Sequence, residues 1–239
     1  MRQLRRRVKQ WAHQMNNRKD VSGLKRGLFL DLDGTLANSL EVMRAVYGKF
    51  LKEFDVVGTD EEFARLNGPS LSDVLAILKV EHNLSPSHDE LLTRYKAILN
   101  SSYEDVEPNI GAYELIGEAV ARGWKIGVVT SNVHKTVSGW LSRVKLNNYV
   151  HVIATGETVA SGKPAPDLYL KALADSGCDA RRSLAVEDTA TGARSAIGAG
   201  LQTYGLAQGD VDSRSWPNGV RFVRSLVELI KVIEQADGE

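Results

Sequence analysis

Apolar residues along the chain follow two patterns. Short apolar runs, bounded by Gly, Asp, Asn or Pro, occur at residues 27–30, 124–129, 149–154, 183–186 and 200–205. Runs this short read as strands buried on both faces. Between them the apolar positions recur at helical spacing, over 110–122 and again over 223–235. Strands alternating with helices predict a parallel sheet with right-handed crossovers, an α/β core.

One stretch breaks the alternation. Ser39 is placed to cap a helix carrying Leu40, Met43, Val46, Tyr47, Phe50 and Leu51 on one period. From residue 60 to 105 the pattern is helical throughout. Segments start at Asp60, at Ser70 (Leu71, Val74, Leu75, Leu78) and at Ser85-Pro86 (Leu91, Leu92, Tyr95, Ile98, Leu99), and Glu107-Pro108-Asn109 forms a return linker. A run of helices between two strands predicts a helical subdomain over 39–107, inserted into a core made of 27–38 and 108–239. Ahead of both, Leu4, Val8, Trp11 and Met15 form one stripe of a basic helix over 2–16, followed by a polar linker to residue 26.

Charge changes this picture in one respect. The 239 residues carry 30 basic and 30 acidic side chains, yet residues 1–26 hold nine Lys/Arg against Asp20 alone. The remainder is therefore net acidic, which suits a domain that holds a divalent cation and acts on small molecules, and no nucleic-acid partner is expected. For residues 2–16 three readings stay open: attachment to an anionic surface or protein partner, a targeting segment, or a solvated helix packed on the domain. No apolar run reaches the roughly 18 residues of a membrane span. The single cysteine, Cys178, excludes an internal disulfide and fits a reducing, cytoplasmic compartment. His82, His88, His134 and His151 show no metal-ligand spacing.

The chemistry gathers at the strand ends, where ligands bind in open α/β sheets. Gly27-Leu28-Phe29-Leu30 runs into Asp31-Leu32-Asp33-Gly34-Thr35, and Leu184-Ala185-Val186 into Glu187-Asp188-Thr189. Acids at two strand ends can converge on one hard cation such as Mg²⁺, which takes a few carboxylates and keeps several waters; taken singly, an Asp-Gly turn is an ordinary one. Val129 is followed by Thr130-Ser131-Asn132, either an anion site at a helix start or a plain helix cap. In Ser161-Gly162-Lys163-Pro164-Ala165-Pro166-Asp167 the prolines and glycine fix the backbone around Lys163. That lysine is a point cation for a phosphate or the exposed tip of a proline turn.

In this order the four strings resemble the four motifs of the haloacid dehalogenase-like phosphohydrolases over about residues 27–206. The helices after the first motif resemble the type-one cap of the branch holding phosphoglycolate phosphatases and β-phosphoglucomutases. The resemblance implies a Rossmann-like parallel sheet flanked by helices, with an all-helical cap. It implies Asp31 as nucleophile, Asp33 as acid and base, and Mg²⁺ held by Asp31, Asp33 and Asp188 with Glu187 in support. Thr130, Ser131, Asn132 and Lys163 would grip the phosphoryl group, and the substrate would be a small phosphorylated metabolite. Arg65 and Asn67, just before Gly68-Pro69, are candidates to face the substrate, with a solvated helix end as the alternative. The mutases of the branch carry arginine at the cap position that is Leu71 here, which favours a phosphatase over a phosphomutase. A docking protein acting through the basic helix is a further alternative.

Overall fold

The computed structural model describes residues 25–66, 69–207 and 213–236. The basic helix expected over 2–16, most of its linker and the candidate Asn67 lie outside the described residues.

Six strands form one parallel sheet: β1 (Gly27–Leu30), β2 (Lys125–Thr130), β3 (Val150–Thr155), β4 (Leu184–Glu187), β5 (Gln202–Leu206) and β6 (Arg221–Val223). Their spatial order is β3-β2-β1-β4-β5-β6. The chain builds outward from β1 to β3 on one side, then crosses back to build β4 to β6 on the other. The crevice where such a sheet reverses direction is its ligand site. In register, Leu30 lies level with Val128 of β2 and Val186 of β4. Residues that follow these three positions are therefore delivered side by side.

Alternation along β1 explains the two packed layers. Leu28 and Leu30 enter one apolar cluster with α5 (Ala112–Ala121), α6 (His134–Arg143) and α9 (Leu226–Ala236), whereas Phe29 enters a second with α7 (Asp167–Ser176) and α8 (Ala190–Gly198). Burial on both faces is why these strands read as continuous apolar runs.

The helical insertion comprises α1 (Leu40–Lys52), α2 (Asp60–Leu66), α3 (Leu71–Glu81) and α4 (His88–Ser102), ending in a single 3₁₀ turn, Tyr103–Asp105. Its own core is aromatic, with the Phe50 and Tyr95 rings 5.1 Å apart, and is continuous with the first cluster of the sheet domain. The outgoing and returning chains run side by side: Ala37 bridges Pro108, and the Asn38 N–H donates to the Glu107 carbonyl at 2.9 Å.

Two expectations need correction. The closing helix begins at Leu226, not Val223, because Arg221–Val223 adds as the edge strand β6. Ser39 stands at the start of α1 but makes no capping bond; its hydroxyl is engaged elsewhere, as described below. No helix among the described residues is long and apolar enough to cross a membrane.

Candidate active site

Asp31 directly continues β1. Its N–H donates to the Val186 carbonyl at 3.0 Å, extending the ladder by one residue and turning the carboxylate into the crevice. The chain then doubles back, with Leu36 N–H bonded to the Asp31 carbonyl (3.2 Å) and Ala37 N–H to that of Leu32 (2.8 Å). Gly34 sits at φ +80°, and a Cβ there would fall 2.1 Å from Asp188 Oδ2, so both conformation and space require glycine. From the return linker the Asn109 amide donates to the carbonyls of Gly34 (2.9 Å) and Thr35 (2.7 Å). The turn is clamped from behind.

Asp33 is held by three donors from three regions. Ser39 Oγ (2.8 Å) and Tyr103 Oη (2.7 Å) donate to its Oδ1, and Asn132 Nδ2 (3.0 Å) to its Oδ2. This is where the Ser39 hydroxyl goes: it donates to Asp33 and accepts from the Gly34 N–H at 3.3 Å, so it orders the acidic turn instead of capping α1. Tyr103 reaches in from the last turn of the helical insertion. Burial, then the Asp33 charge, pushes its phenol well above the ordinary range, which keeps it a neutral donor.

Lys163 is buried, which rules out the exposed proline-turn reading. Its ammonium lies 2.5 Å from Asp31 Oδ1 and 2.6 Å from Glu187 Oε1, and donates to the Val129 carbonyl at 3.1 Å. Burial alone would favour the neutral amine, but Asp31 and Glu187 more than offset it and hold Lys163 charged. Glu187 is fully buried, takes a further hydrogen bond from Tyr169 Oη at 2.6 Å, and leaves Oε2 without a hydrogen-bond partner. Gly192, at the first turn of α8, makes room for it; a Cβ there would sit 2.0 Å from Oε2.

One lysine does not neutralise this floor. Asp31, Glu187 and half-buried Asp188 each offer an oxygen within 4.8 Å of the others. Burial raises the Asp31 carboxyl well above its ordinary range, with Glu187 and Asp188 adding to the rise against the pull of Lys163. Withdrawal from water, then Glu187, pushes Asp188 up to about 8. Clustered hard oxygens, an orphaned buried carboxylate oxygen and an excess of negative charge together fit a divalent cation with oxygen ligands.

A cleft opens above this floor, lined by Asp31, Asp33, Thr130, Ser131, Asn132, Lys163 and Asp188. Thr130 is buried and its hydroxyl accepts from the Asn132 N–H at 3.0 Å. Asn132 spends its side-chain amide on Asp33. Thr189, which heads α8 by accepting from the Gly192 N–H, also lines the cleft. The sequence reading missed Tyr103, Tyr169, Asn109 and Thr189. Thr189 carried a signal, since it directly follows the second acidic pair; the other three act only through tertiary contacts.

The substrate candidate Arg65 is not brought to the cleft. Its guanidinium pairs with Glu81 of α3 at 2.6 Å on the outer surface. The roof that the insertion supplies is instead apolar, from residues such as Met43, Tyr47, Phe63, Leu71 and Tyr95.

The model of the haloacid dehalogenase-like hydrolase family matches residues 28–206. Protein CbbY of Rhodobacter capsulatus is 31% identical over 193 residues, spanning 74% of this chain and 83% of that protein. Pyrophosphatase PpaX of Bacillus velezensis is 25% identical over 193 residues, spanning 75% and 82%. Among solved structures, CbbY from Rhodobacter sphaeroides in complex with phosphate superposes with a TM-score of 0.77 at 24% identity, covering 86% of this chain and 96% of that one. At that identity the likeness concerns the fold.

Proposed function

The chain belongs to the haloacid dehalogenase-like hydrolases as a phosphoric monoester hydrolase, and from that premise we propose a Mg²⁺-dependent reaction that hydrolyses a small phosphate monoester through an aspartyl-phosphate on Asp31. The observation that carries this reading is the buried union of Asp31 with Lys163, Glu187 and Asp188, opening on a cleft that Asp33 shares.

In the first step an Asp31 carboxylate oxygen attacks phosphorus and the bond from phosphorus to the alcohol oxygen breaks, with Asp33 delivering the proton that the leaving oxygen needs. In the second step Asp33 takes a proton from water as that water attacks the phosphoryl group, which releases phosphate and restores the Asp31 carboxylate. Ser39, Tyr103 and Asn132 fix the Asp33 carboxylate between these tasks. Lys163 holds Asp31 in one rotamer and, with the hydroxyls and backbone at Thr130 and Ser131, meets the charge on the transferring oxygens. The Asp31 and Asp188 carboxylates and the Asp33 carbonyl would hold Mg²⁺, with Glu187 in support, and the ion would offset the repulsion between a carboxylate nucleophile and an anionic ester. Helices α1–α4 serve as the cap over the reaction.

Leu71 at the roof supports hydrolysis over a mutase cycle, because a leucine cannot hold the second phosphate of a bisphosphate intermediate. The reading places the enzyme in the cytoplasm. For residues 2–16 the charge supports an anionic surface or protein partner, with a solvated helix packed on the domain as the alternative. Reversing the charges in residues 2–9 should abolish attachment and leave turnover unchanged if they dock, and change neither if they do not. Phosphate release from a panel of monoesters, with Mg²⁺ and with chelator, tests the proposal on wild type and Asp31→Asn. Metal-dependent release that vanishes in the variant is expected. No release from any ester by the folded, Mg²⁺-treated protein would overturn it.

A further inference from the structure

The floor of the cleft recognises a phosphate; the roof must recognise whatever the phosphate is attached to. Lys163, at the floor, is the only cation lining the cleft among the described residues. Cations of the insertion that could have turned inward are tied outside. Arg44 binds Asp60 at 2.6 Å and stacks on the outer side of the Tyr47 ring, and Arg65 pairs with Glu81. Lys79 spends its ammonium on the Leu84 carbonyl at 2.9 Å and on that of Pro86. Residues 67 and 68, between α2 and α3, are Asn and Gly and add no charge. The hydroxyl of Tyr47, which could have served a sugar, is donated to Glu62, and that of buried Tyr95 lies within reach of the Asp33 charge at the floor.

We propose that the roof selects phosphate monoesters whose organic part is apolar and without a second anionic group. This deepens the phosphatase reading and rests on it for the position of the phosphate. A ring against Tyr47, Phe63 and Leu71 gains the burial of its own area and edge or offset contacts with two aromatic rings. A carboxylate or second phosphate in the same place would lose its water to leucine and phenylalanine with no cation in exchange.

The test is binding, so that it does not depend on turnover. Calorimetry with the full chain and Mg²⁺ would compare benzylphosphonate, which carries a ring, with phosphonoacetate, which carries a carboxylate on the same short stem. The ring compound should bind at least about tenfold more tightly, and Leu71→Arg should narrow or reverse that ratio. Pro69→Arg, at another position lining the same cleft, is the second variant if Leu71→Arg does not fold. Equal or tighter binding of phosphonoacetate by wild type, binding of neither compound, or a ratio unmoved by the folded arginine variants would each overturn the inference. Failure here alongside phosphate release from other esters sinks the roof assignment alone. The expected contrast in a protein that hydrolyses no ester would sink the hydrolysis reading and leave the roof standing.

Discussion

At the floor of the cleft, carboxylates arrive from the ends of β1 and β4, hydroxyls and an amide from the end of β2, and one lysine from the loop after β3; at the roof, apolar and aromatic side chains arrive from α1 to α4. The two regions face one ligand space and obey opposite electrostatics. Floor residues are held by hydrogen bonds that leave little freedom, such as the three donors on Asp33, and carry charge that folding alone would not favour. Roof residues are held by packing and carry none. The difference assigns chemistry to the strand ends and selection to the helices, with Ser39 and Tyr103, at the two ends of the insertion, bonding directly to the floor acid Asp33. A phosphate ester with an apolar leaving group would satisfy both halves at once.

Substitutions should separate the two halves. The largest effect is expected for Asp31→Asn, which should lower kcat by at least about a thousandfold while leaving phosphonate affinity within a few-fold of wild type; steady-state kinetics with calorimetry reads both. Lys163→Met removes the phosphoryl-facing cation and strands two buried carboxylates. A loss of about a hundredfold in kcat is expected, with destabilisation of about 3 kcal/mol in urea unfolding without Mg²⁺. Roof changes should move specificity instead: Phe63→Ala should raise KM for a ring-bearing ester several-fold and leave kcat for a small ester nearly unchanged. Tyr103→Phe should lower kcat about three- to tenfold for alkyl esters, whose leaving oxygen needs the Asp33 proton. For p-nitrophenyl phosphate, whose leaving group needs none, the loss should be smaller. A uniform loss on both would make Tyr103 a packing residue only.

A separate effect is expected on stability against pH. Asp188, raised to about 8, and Asp31, raised in the same direction, bind protons more tightly in the folded than in the unfolded chain. Folding is therefore favoured below this range, and stability in chelator should fall as pH rises from about 5 to 8. Saturating Mg²⁺ takes the place of those protons and should flatten the slope, adding about 2.7 kcal/mol at a hundred times its Kd. Urea midpoints at several pH values, with and without Mg²⁺, would check the sign.

How much of this the sequence discloses differs between the same two regions. Floor residues announce themselves because each follows an apolar run, and strands of one parallel sheet end at one edge; Asp31, Thr130 and Glu187 needed only the register to meet. Lys163 was legible as a fixed lysine, though its burial against Glu187 as well as Asp31 was not. The roof was less legible. Arg65 looked available because a sequence cannot show that Glu81 of the next helix stands 2.6 Å away. Ser39 fits a helix cap by position, yet its hydroxyl bonds to Asp33, a choice made by the turn and not by local propensity. Tyr103 lies 70 residues from its partner Asp33, and β6 is a three-residue edge strand, two of its residues exposed. Neither leaves a periodic trace.

The aspartyl-phosphate is the central claim, and mass spectrometry of acid-quenched enzyme during turnover of a ring-bearing monoester with Mg²⁺ tests it most directly. A phosphoryl group on the peptide carrying Asp31, formed in wild type and absent from Asp31→Asn, is the predicted result. Release of phosphate over many turnovers with that peptide never phosphorylated, or with the phosphoryl group on another residue, would contradict it.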